Sequence, residues 1–286
     1  EVMRLLALFC WLFAFAATPA AAATSAELQP LEQQVAALLA NRPGDFGVAA
    51  LDLDTGEAIS INGDKAFPMA STVKVAVAAA YLAQVDHGRR TLDDRIGSRS
   101  ARQLIEAMMI HSDNAATDIL VRNLGGPGSI QTWMSWHGLT NIRMDRTIAQ
   151  LLADRRDLWD VRDSSTPMAM VSMLKLIDRG NVLKPQSRQY LLDVMARCAT
   201  GKNRMRGLLS PATPVAHKTG TLNGLTTDVG YITLPTGKRV AVAFFARGGT
   251  DRPRSIAEAA RAIYDGFVAR VWRFSSNGSA AQASAY

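Results

Sequence analysis

Strand-like segments stand at both ends of this chain, and the long stretch between them has a helical pattern. The strand-like segments are 46–53, 58–61, 215–218, 227–233 and 239–246. Their apolar and β-branched residues, bounded by turn residues, are typical of an antiparallel sheet. Because such a sheet draws on both ends of the chain, the helical stretch is an insertion into it. We therefore predict an α/β (α+β) fold, with residues 24–66 and 213–274 in the sheet domain and residues 67–212 in an all-helical domain.

The first residues have the pattern of a secretory signal peptide. Arg4 precedes an apolar run from Leu5 to Ala17, and small residues of A-x-A character follow at 20–23. A positive residue, a short apolar run and a small-residue cleavage site are the three parts of such a signal. We therefore expect residues 1–23 to be removed and the mature chain to be periplasmic or secreted, with no membrane contact. At the other end, residues 275–286 are small and polar, and we predict a disordered tail.

The composition is that of an ordinary globular protein with a positive charge. The 286 residues are 48% hydrophobic, and the formal net charge is +7. Positive charge alone does not predict a nucleic-acid partner, since the sequence has no zinc knuckle, no RNP-type aromatic motif and no long Lys/Arg run. We expect a small-molecule partner, no nucleic acid, no cofactor and a monomer.

Cys198 is the one cysteine left once the leader is removed. A disulfide within the mature chain is then impossible, so stability must come from the apolar core. No histidine close in sequence activates Cys198 as a nucleophile. We predict a buried structural thiol.

Three short motifs in a fixed order carry the chemical signal. They are Ser71-Thr72-Val73-Lys74, Ser112-Asp113-Asn114 and Lys218-Thr219-Gly220-Thr221. Lys74 lies one helical turn after Ser71, so its amine can reach the serine hydroxyl. Burial and a neighbouring cation such as Lys218 would lower the pKa of Lys74 and allow it to act as a base. The combination predicts nucleophilic catalysis by Ser71.

Together the motifs resemble the signature of class A β-lactamases and penicillin-binding proteins. The resemblance to the class A family extends from about residue 28 to about residue 274 and includes Phe67-Pro68-Met69-Ala70, 162–167 and 228–232. It implies a β-lactamase/transpeptidase-like fold, with a five-stranded antiparallel sheet flanked by helices and an inserted helical domain. It also implies a serine hydrolase that opens the β-lactam ring through a Ser71 acyl-enzyme.

The same resemblance implies roles for individual residues. Ser71, Lys74 and Ser112 would be catalytic, with Ser112 relaying a proton to the leaving nitrogen. The backbone N–H groups of Ser71 and Thr221 would form the oxyanion hole, whose donors are worth about 3 kcal/mol each in related chemistry. The substrate would be bound by Asn114, Lys218, Thr219, Gly220, Thr221 and Arg204. An ion pair between Arg146 and Asp163 would close the Ω-loop.

The loop between Arg146 and Asp163 departs from the family pattern. Ile148 stands where the family has the Glu that serves as deacylation base, and Leu152 stands where it has an Asn. The groups for acylation are retained, but hydrolysis of the acyl-enzyme lacks its usual base. Asp154, Asp157 or Asp160 could supply a carboxylate instead, although solvated loop charge is the plainer interpretation of each.

A second departure is a deletion before the second motif. Ser71 and Ser112 are 41 residues apart, fewer than is usual in the family. The missing residues fall around Arg95–Ser100, in a loop that usually forms one wall of the site. We expect a more open cleft there.

Two other functions remain open at this point. The missing Glu is compatible with a D,D-carboxypeptidase or penicillin-binding-type enzyme acting on peptidoglycan stems, and with a sensor that is acylated once by a β-lactam without turnover. His111 and His217 adjoin motif residues and could together form a zinc site, but packing or surface roles are the simpler interpretation and we predict no metal.

Overall fold

The computed structural model describes residues 24–155 and 157–283, with side chains as far as residue 271. The predicted signal peptide, residues 1–23, lies outside the described residues. Within them, no helix combines the length and the apolar character needed to cross a bilayer.

Strands and helices alternate in blocks along the chain. The strands are β1 Asp45–Asp52, β2 Ala58–Ile61, β3 Phe67–Pro68, β4 Arg95–Ile96, β5 Arg99–Ser100, β6 Ser164–Ser165, β7 Val215–Leu222, β8 Leu225–Thr233 and β9 Arg239–Arg247. The helices are α1 Gln29–Ala40, α2 Lys74–Asp86, α3 Ala101–Ile110, α4 Asn114–Asn123, α5 Pro127–Trp136, α6 Ile148–Ala153, α7 Pro167–Asp178, α8 Pro185–Ala196 and α9 Arg252–Ala283. A 3₁₀ turn, Ala70–Val73, leads into α2.

The main sheet has five strands in the order β2-β1-β9-β8-β7. Every neighbouring pair is antiparallel. The first two strands come from the start of the chain and the other three from its end, as the sequence pattern predicted. The predicted fold class is therefore confirmed, and β7, which carries the third motif, lies at an edge of the sheet.

The two faces of the sheet pack against different helices. Successive residues of a strand point to opposite faces, so Phe244 and Phe245 belong to separate apolar clusters. The Phe244 cluster joins the sheet to α1 and α9. The Phe245 cluster joins the other face to the helices of the inserted segment. The inserted helices therefore share one core with the sheet, and α7 packs directly on β1 and β9.

Helix α2 runs through the centre of the helical part. Its residues from Lys74 to Ala83 are all buried. A helix that is apolar on every side is covered on every side. The small Ala and Val side chains allow the neighbouring helices to approach closely, and this places Lys74, the first residue of α2, in the interior.

The C-terminal segment differs from its prediction. Residues 275–283, predicted to be disordered, continue α9 as far as Ala283, while residues 284–286 lie outside the described part. Adding a residue to an existing helix gains one hydrogen bond for each residue fixed, and Ala is the best helix former. The alanines at 280, 281 and 283 outweigh the small polar residues around them.

Phe67 should be among the side chains on which stability most depends. Its ring is fully buried and stacks on Phe245 with centroids 5.7 Å apart, and a Cβ on Gly47 would overlap it. Phe67→Ala should lower the free energy of unfolding by about 3–5 kcal/mol, because it leaves a cavity. Urea unfolding measures the loss. Leu152→Ala, at an exposed position, should change it by less than about 0.5 kcal/mol, and equal losses in the two variants would contradict this assignment.

Candidate active site

The three sequence motifs meet around one hydroxyl group. Ser112 lies in the turn between α3 and α4, Lys74 begins α2, and Lys218 lies on β7. The Ser112 Oγ accepts hydrogen bonds from Lys218 Nζ at 3.0 Å and from Lys74 Nζ at 3.2 Å. A hydroxyl can accept two hydrogen bonds and donate one, so Ser112 is suited to pass a proton between neighbouring groups.

Lys74 is fully buried and its ammonium donates to oxygen atoms alone. Nζ lies 2.8 Å from the Ser112 carbonyl and 2.8 Å from Asn114 Oδ1. None of the carboxylates in the described residues lies within ion-pair distance of it. Burial, together with the charge of Lys218, lowers the pKa of Lys74 to about 7. The neutral amine, which can accept a proton, is therefore well populated near neutral pH.

Lys218 is also fully buried and donates to the Thr219 carbonyl at 2.8 Å. Burial lowers its pKa to about 8. Lys218 therefore keeps its charge over a pH range in which Lys74 has begun to lose its own. The pKa values of the two amines differ enough for different roles, Lys74 as a base and Lys218 as a cation.

Ser71 lies in the 3₁₀ turn that leads into α2, and Lys74 is the first residue of α2. Strand β7 comes close to this turn, because a Cβ on Gly220 would lie 2.7 Å from the Met69 carbonyl and 2.9 Å from the Ser71 nitrogen. Only glycine allows that approach. Since Thr221 follows Gly220, the amides of Ser71 and Thr221 belong to adjoining segments of backbone, which is the placement an oxyanion hole requires.

Three non-glycine residues around the site have left-handed backbone conformations. They are Ala70 with φ 48°, Ser112 with φ 60° and Asp163 with φ 51°. Such conformations cost about 1–3 kcal/mol each and persist where the surroundings fix them. Ala70 and Asp163 are linked, because the Asp163 carbonyl accepts the N–H of Met69 at 2.9 Å. The turn that presents Ser71 is thus held by the end of the loop.

Arg204 lies against β7 and β8 instead of in a solvated loop. One terminal nitrogen donates to the carbonyls of Gly220 at 2.8 Å and Thr227 at 2.9 Å. The other donates to Thr221 Oγ1 at 2.6 Å. The structure therefore brings this guanidinium to the third motif.

Some contacts at the site had no signal in the sequence. Thr200 Oγ1 lies 2.5 Å from Thr219 Oγ1, and Cys198 Sγ lies 3.4 Å from Thr200 Oγ1. Cys198 is a buried free thiol at the end of this chain of groups. These residues come from the segment after α8, and only the tertiary fold places them beside β7.

His217 faces away from Lys218, its neighbour on β7. It is fully buried, its Nδ1 lies 2.7 Å from Asp228 Oδ1, and Arg206 donates to its Nε2 at 3.2 Å. Both ring nitrogens are therefore engaged. His111 is exposed, and in the described part of the chain no three His, Cys, Asp or Glu side chains form a metal-binding group. The geometry does not favour the zinc alternative.

Arg146 and Asp163 close the neck of the Ω-loop, residues 146–163. Arg146 Nε donates to Asp163 Oδ2 at 2.6 Å. Asp163 Oδ1 accepts the backbone N–H groups of Asp145 at 2.8 Å and Arg146 at 3.0 Å. Charge-assisted bonds of this kind are about twice as strong as neutral ones, so the two ends of the loop are firmly joined.

Ile148 is buried in the core of the helical part. The Asp118 carboxylate accepts the backbone N–H groups of Ile148 at 2.7 Å and Ala149 at 2.9 Å. An anion at the start of α6 is favourable for the helix. The contact fixes position 148 with its apolar side chain in the core.

Two of the three candidate aspartates are committed to ion pairs. Asp154 lies 2.6 Å from a terminal nitrogen of Arg146, and Asp160 lies 2.7 Å from one of Arg162. Hydrogen bonds from Arg162 lower the pKa of Asp160 to about 2. Asp157 is different, because among the described residues its carboxylate accepts one hydrogen bond, from the N–H of Trp159 to Oδ1 at 2.8 Å.

A short hairpin of β4 and β5 occupies the region where the chain is shortened. Arg99, on β5, lies 3.6 Å from Asp113 Oδ2 in the second motif. Whether the cleft is more open there than in relatives stays a prediction.

Comparisons with known proteins agree with this geometry. The model of the β-lactamase enzyme family matches residues 30–267. The carbapenem-hydrolyzing β-lactamase KPC of Klebsiella oxytoca is 30% identical over 92% of this chain and 96% of its own length. The extended-spectrum β-lactamase PER-1 of Pseudomonas aeruginosa is 28% identical over 84% of this chain and 88% of its own.

Solved structures give the same result. The TLA-1 extended-spectrum β-lactamase superposes with a TM-score of 0.78 at 28% identity, covering 85% of this chain and 99% of that one. An ancestral class A β-lactamase superposes with a TM-score of 0.78 at 34% identity, covering 82% and 99%. The fold, the convergence of the three motifs on Ser112 and these relatives together show that the chain belongs to the class A serine β-lactamase family.

Proposed function

We propose that this protein hydrolyses small β-lactam antibiotics through an acyl-enzyme on Ser71. The observation that carries the proposal is the Ser112 hydroxyl held between two buried lysines, beside the turn that presents Ser71. The signal-peptide pattern supports action in the periplasm or outside the cell. Hydrolysis there would confer resistance or allow the compound to be broken down for growth. The proposal takes the protein to be a monomer.

Acylation follows from the groups around Ser71. The neutral amine of Lys74 accepts the proton of the Ser71 hydroxyl, and Oγ bonds to the lactam carbonyl carbon. The charge on the carbonyl oxygen is stabilised by the amides of Ser71 and Thr221. As the lactam C–N bond breaks, Ser112 delivers its proton to the nitrogen and takes the proton that Lys74 had accepted, across the 3.2 Å between Nζ and Oγ. The ring carboxylate is bound by the Lys218 cation, with the Thr219 and Thr221 hydroxyls and Arg204 beside it.

Asn114 is placed to bind the substrate side chain. Its Oδ1 accepts from Lys74 at 2.8 Å, and the residue is exposed, so the NH₂ group of the same amide is left for the substrate. An exposed NH₂ group can donate to the carbonyl of an acylamino side chain. The same contact therefore orients the base and the substrate-binding amide.

Hydrolysis of the acyl-enzyme is the step that this sequence alters. Ile148 places an apolar, buried side chain where the family has its base. Slow or unusual deacylation is therefore part of the proposal. Ile148 is also the one observation that favours a non-turnover sensor or a penicillin-binding-type enzyme.

The number of product molecules released by each enzyme molecule distinguishes these functions. Purified protein is mixed with a chromogenic cephalosporin, and the released chromophore is followed for hours. We expect many equivalents of product for each enzyme. A burst of one equivalent would identify a sensor, and Ser71→Ala must abolish both results. If the variant still reacts, the nucleophile is not Ser71.

The acylation rate should have a bell-shaped dependence on pH. It should rise as pH increases through about 7, where Lys74 loses its proton, and fall above about 8, where Lys218 loses its charge. Lys218→Arg should remove the alkaline limb, because a guanidinium stays charged. Stopped-flow acylation across this range is the measurement. An unchanged alkaline limb in the arginine variant would contradict the assignment to Lys218.

Gly220→Ala should disable acylation while leaving the fold intact. The added methyl group would press β7 away from the Ser71 amide, and the loss of one oxyanion donor costs about 10²–10³ in rate. Acylation rate and thermal melting are both measured. Gly128→Ala is the matched control, since a Cβ there meets nothing within 4 Å. Equal acylation rates in the two variants would exclude a requirement for close approach at position 220.

A further inference from the structure

We propose that Asp157 is the base that activates water for hydrolysis of the acyl-enzyme. The inference rests on the proposed function, since it assigns a residue to the second half of that reaction. Asp157 would take the role of deacylation base, which the apolar side chain of Ile148 cannot perform.

A cavity connects the Ser71 turn with the interior of the Ω-loop. Its lining includes Ala70, which precedes the nucleophile, and Leu222, which ends β7. On the loop side its lining includes Asp157, Asp160 and Asp163, together with Arg146, Arg155 and Arg162. A water molecule in this cavity would lie beside the residue that precedes Ser71 and beside the aspartates of the loop.

The hydrogen bonds leave one of these carboxylates available. Both oxygens of Asp163 are occupied by Arg146 and the backbone N–H groups at the neck. Asp160 accepts the guanidinium of Arg162 at 2.7 Å and is a weak base. Asp157 forms no ion pair with a described residue, and its Oδ2 is not used by the Trp159 N–H that binds Oδ1. Asp157 can therefore take a proton without breaking the loop.

The position of Asp157 is fixed although its side chain is exposed. The Leu158 carbonyl accepts from Arg247 at 2.8 Å, and the guanidinium of Arg247 lies 3.5 Å from the centroid of the Trp159 ring. Arg247 is itself buried on β9 and paired with Asp45. The two residues after Asp157 are thus attached to the sheet, which fixes this part of the loop beside the cavity.

Hydrolysis of the acyl-enzyme begins with attack by the water molecule. The water oxygen bonds to the ester carbonyl carbon while one of its protons passes to Asp157. The tetrahedral intermediate, stabilised by the Ser71 and Thr221 amides, then collapses. The bond from carbon to Ser71 Oγ breaks, and the proton held by Asp157 returns to Oγ through the cavity. The product leaves as a carboxylic acid and the enzyme is restored.

The test follows the acyl-enzyme by intact-protein mass spectrometry. The protein is mixed with a β-lactam, free drug is removed, and decay of the adduct is timed. Asp157→Asn should slow the decay by at least about 100-fold, the usual contribution of a general base. The acylation rate should be unchanged, so that turnover becomes a burst. Asp64→Asn is the control, because Asp64 is exposed, lies outside the loop and does not line the cavity.

A pH profile separates a base from a structural carboxylate. In the wild type the decay rate should fall on the acid side of its pH profile, because a protonated general base cannot accept a proton from water. Asp157→Glu should keep this limb with a lower maximum rate, and Asp157→Asn should lose it. A carboxylate that only supported the loop would change the rate without changing the profile.

Trp159 should act as a positioning residue for Asp157. It is 65% exposed and Trp136 is 82% exposed, so neither substitution to Ala should cost much stability. Trp159→Ala should slow adduct decay about 10-fold with acylation unchanged, and Trp159→Phe should restore most of the rate. Trp136→Ala, on α5, should behave as the wild type.

The outcomes are distinct. An adduct that decays equally fast in the wild type and in Asp157→Asn would overturn the assignment to Asp157 alone. A wild-type adduct that never decays would overturn the proposed hydrolysis, and so would a wild type that forms no adduct and releases no product. Melting curves of each variant show that it is folded.

Discussion

Two buried ammonium groups facing one hydroxyl are the constraint around which the rest of the site is arranged. Lys74 and Lys218 are both fully buried, and each lies within hydrogen-bond distance of Ser112 Oγ. Desolvation and mutual repulsion both disfavour two charges there. The cluster persists because α2, the turn after α3 and the edge strand β7 are each fixed by their own core packing. The rigidity of those elements is what holds an amine ready to lose its proton.

The sequence was informative where the signal is local or repeated. Ser71 and Lys74 are one turn apart, and the alternating strands at both ends predicted one shared sheet. The contacts that complete the site have no such signal, since they join distant residues: Thr200 with Thr219, Asp118 with Ile148 and Arg247 with Leu158. The 3₁₀ turn at Ser71 differs from an α-helical turn in its i→i+3 hydrogen bonds and its tighter winding, which composition does not encode. The tail failed for a similar reason, because a neighbouring helix decided its conformation.

The Ω-loop shows how charge can be used for structure and for chemistry in one segment. Arg146 binds Asp154 and Asp163, and Arg162 binds Asp160. These pairs neutralise most of the loop's carboxylates and join its ends. A carboxylate so engaged is a poor proton acceptor, since protonation would break an ion pair. Stability of the loop and basicity of its acids are therefore opposed, and a base must be a residue that the pairs leave out.

At position 148, by contrast, burial of an apolar side chain is what excludes a hydrolytic role. A side chain that packs in an apolar core cannot also face water, and the Asp118 contact with the amides of Ile148 and Ala149 keeps position 148 in that core. The loop gains an apolar anchor at its first helix and a second attachment at Arg247 on β9. Asp157 lies between those anchors, where it is exposed and lines the cavity. Because the groups of the proposed acylation, among them Ser71, Lys74 and Lys218, lie outside the Ω-loop, the hydrolytic base can change its place in the loop without disturbing the first half of the reaction.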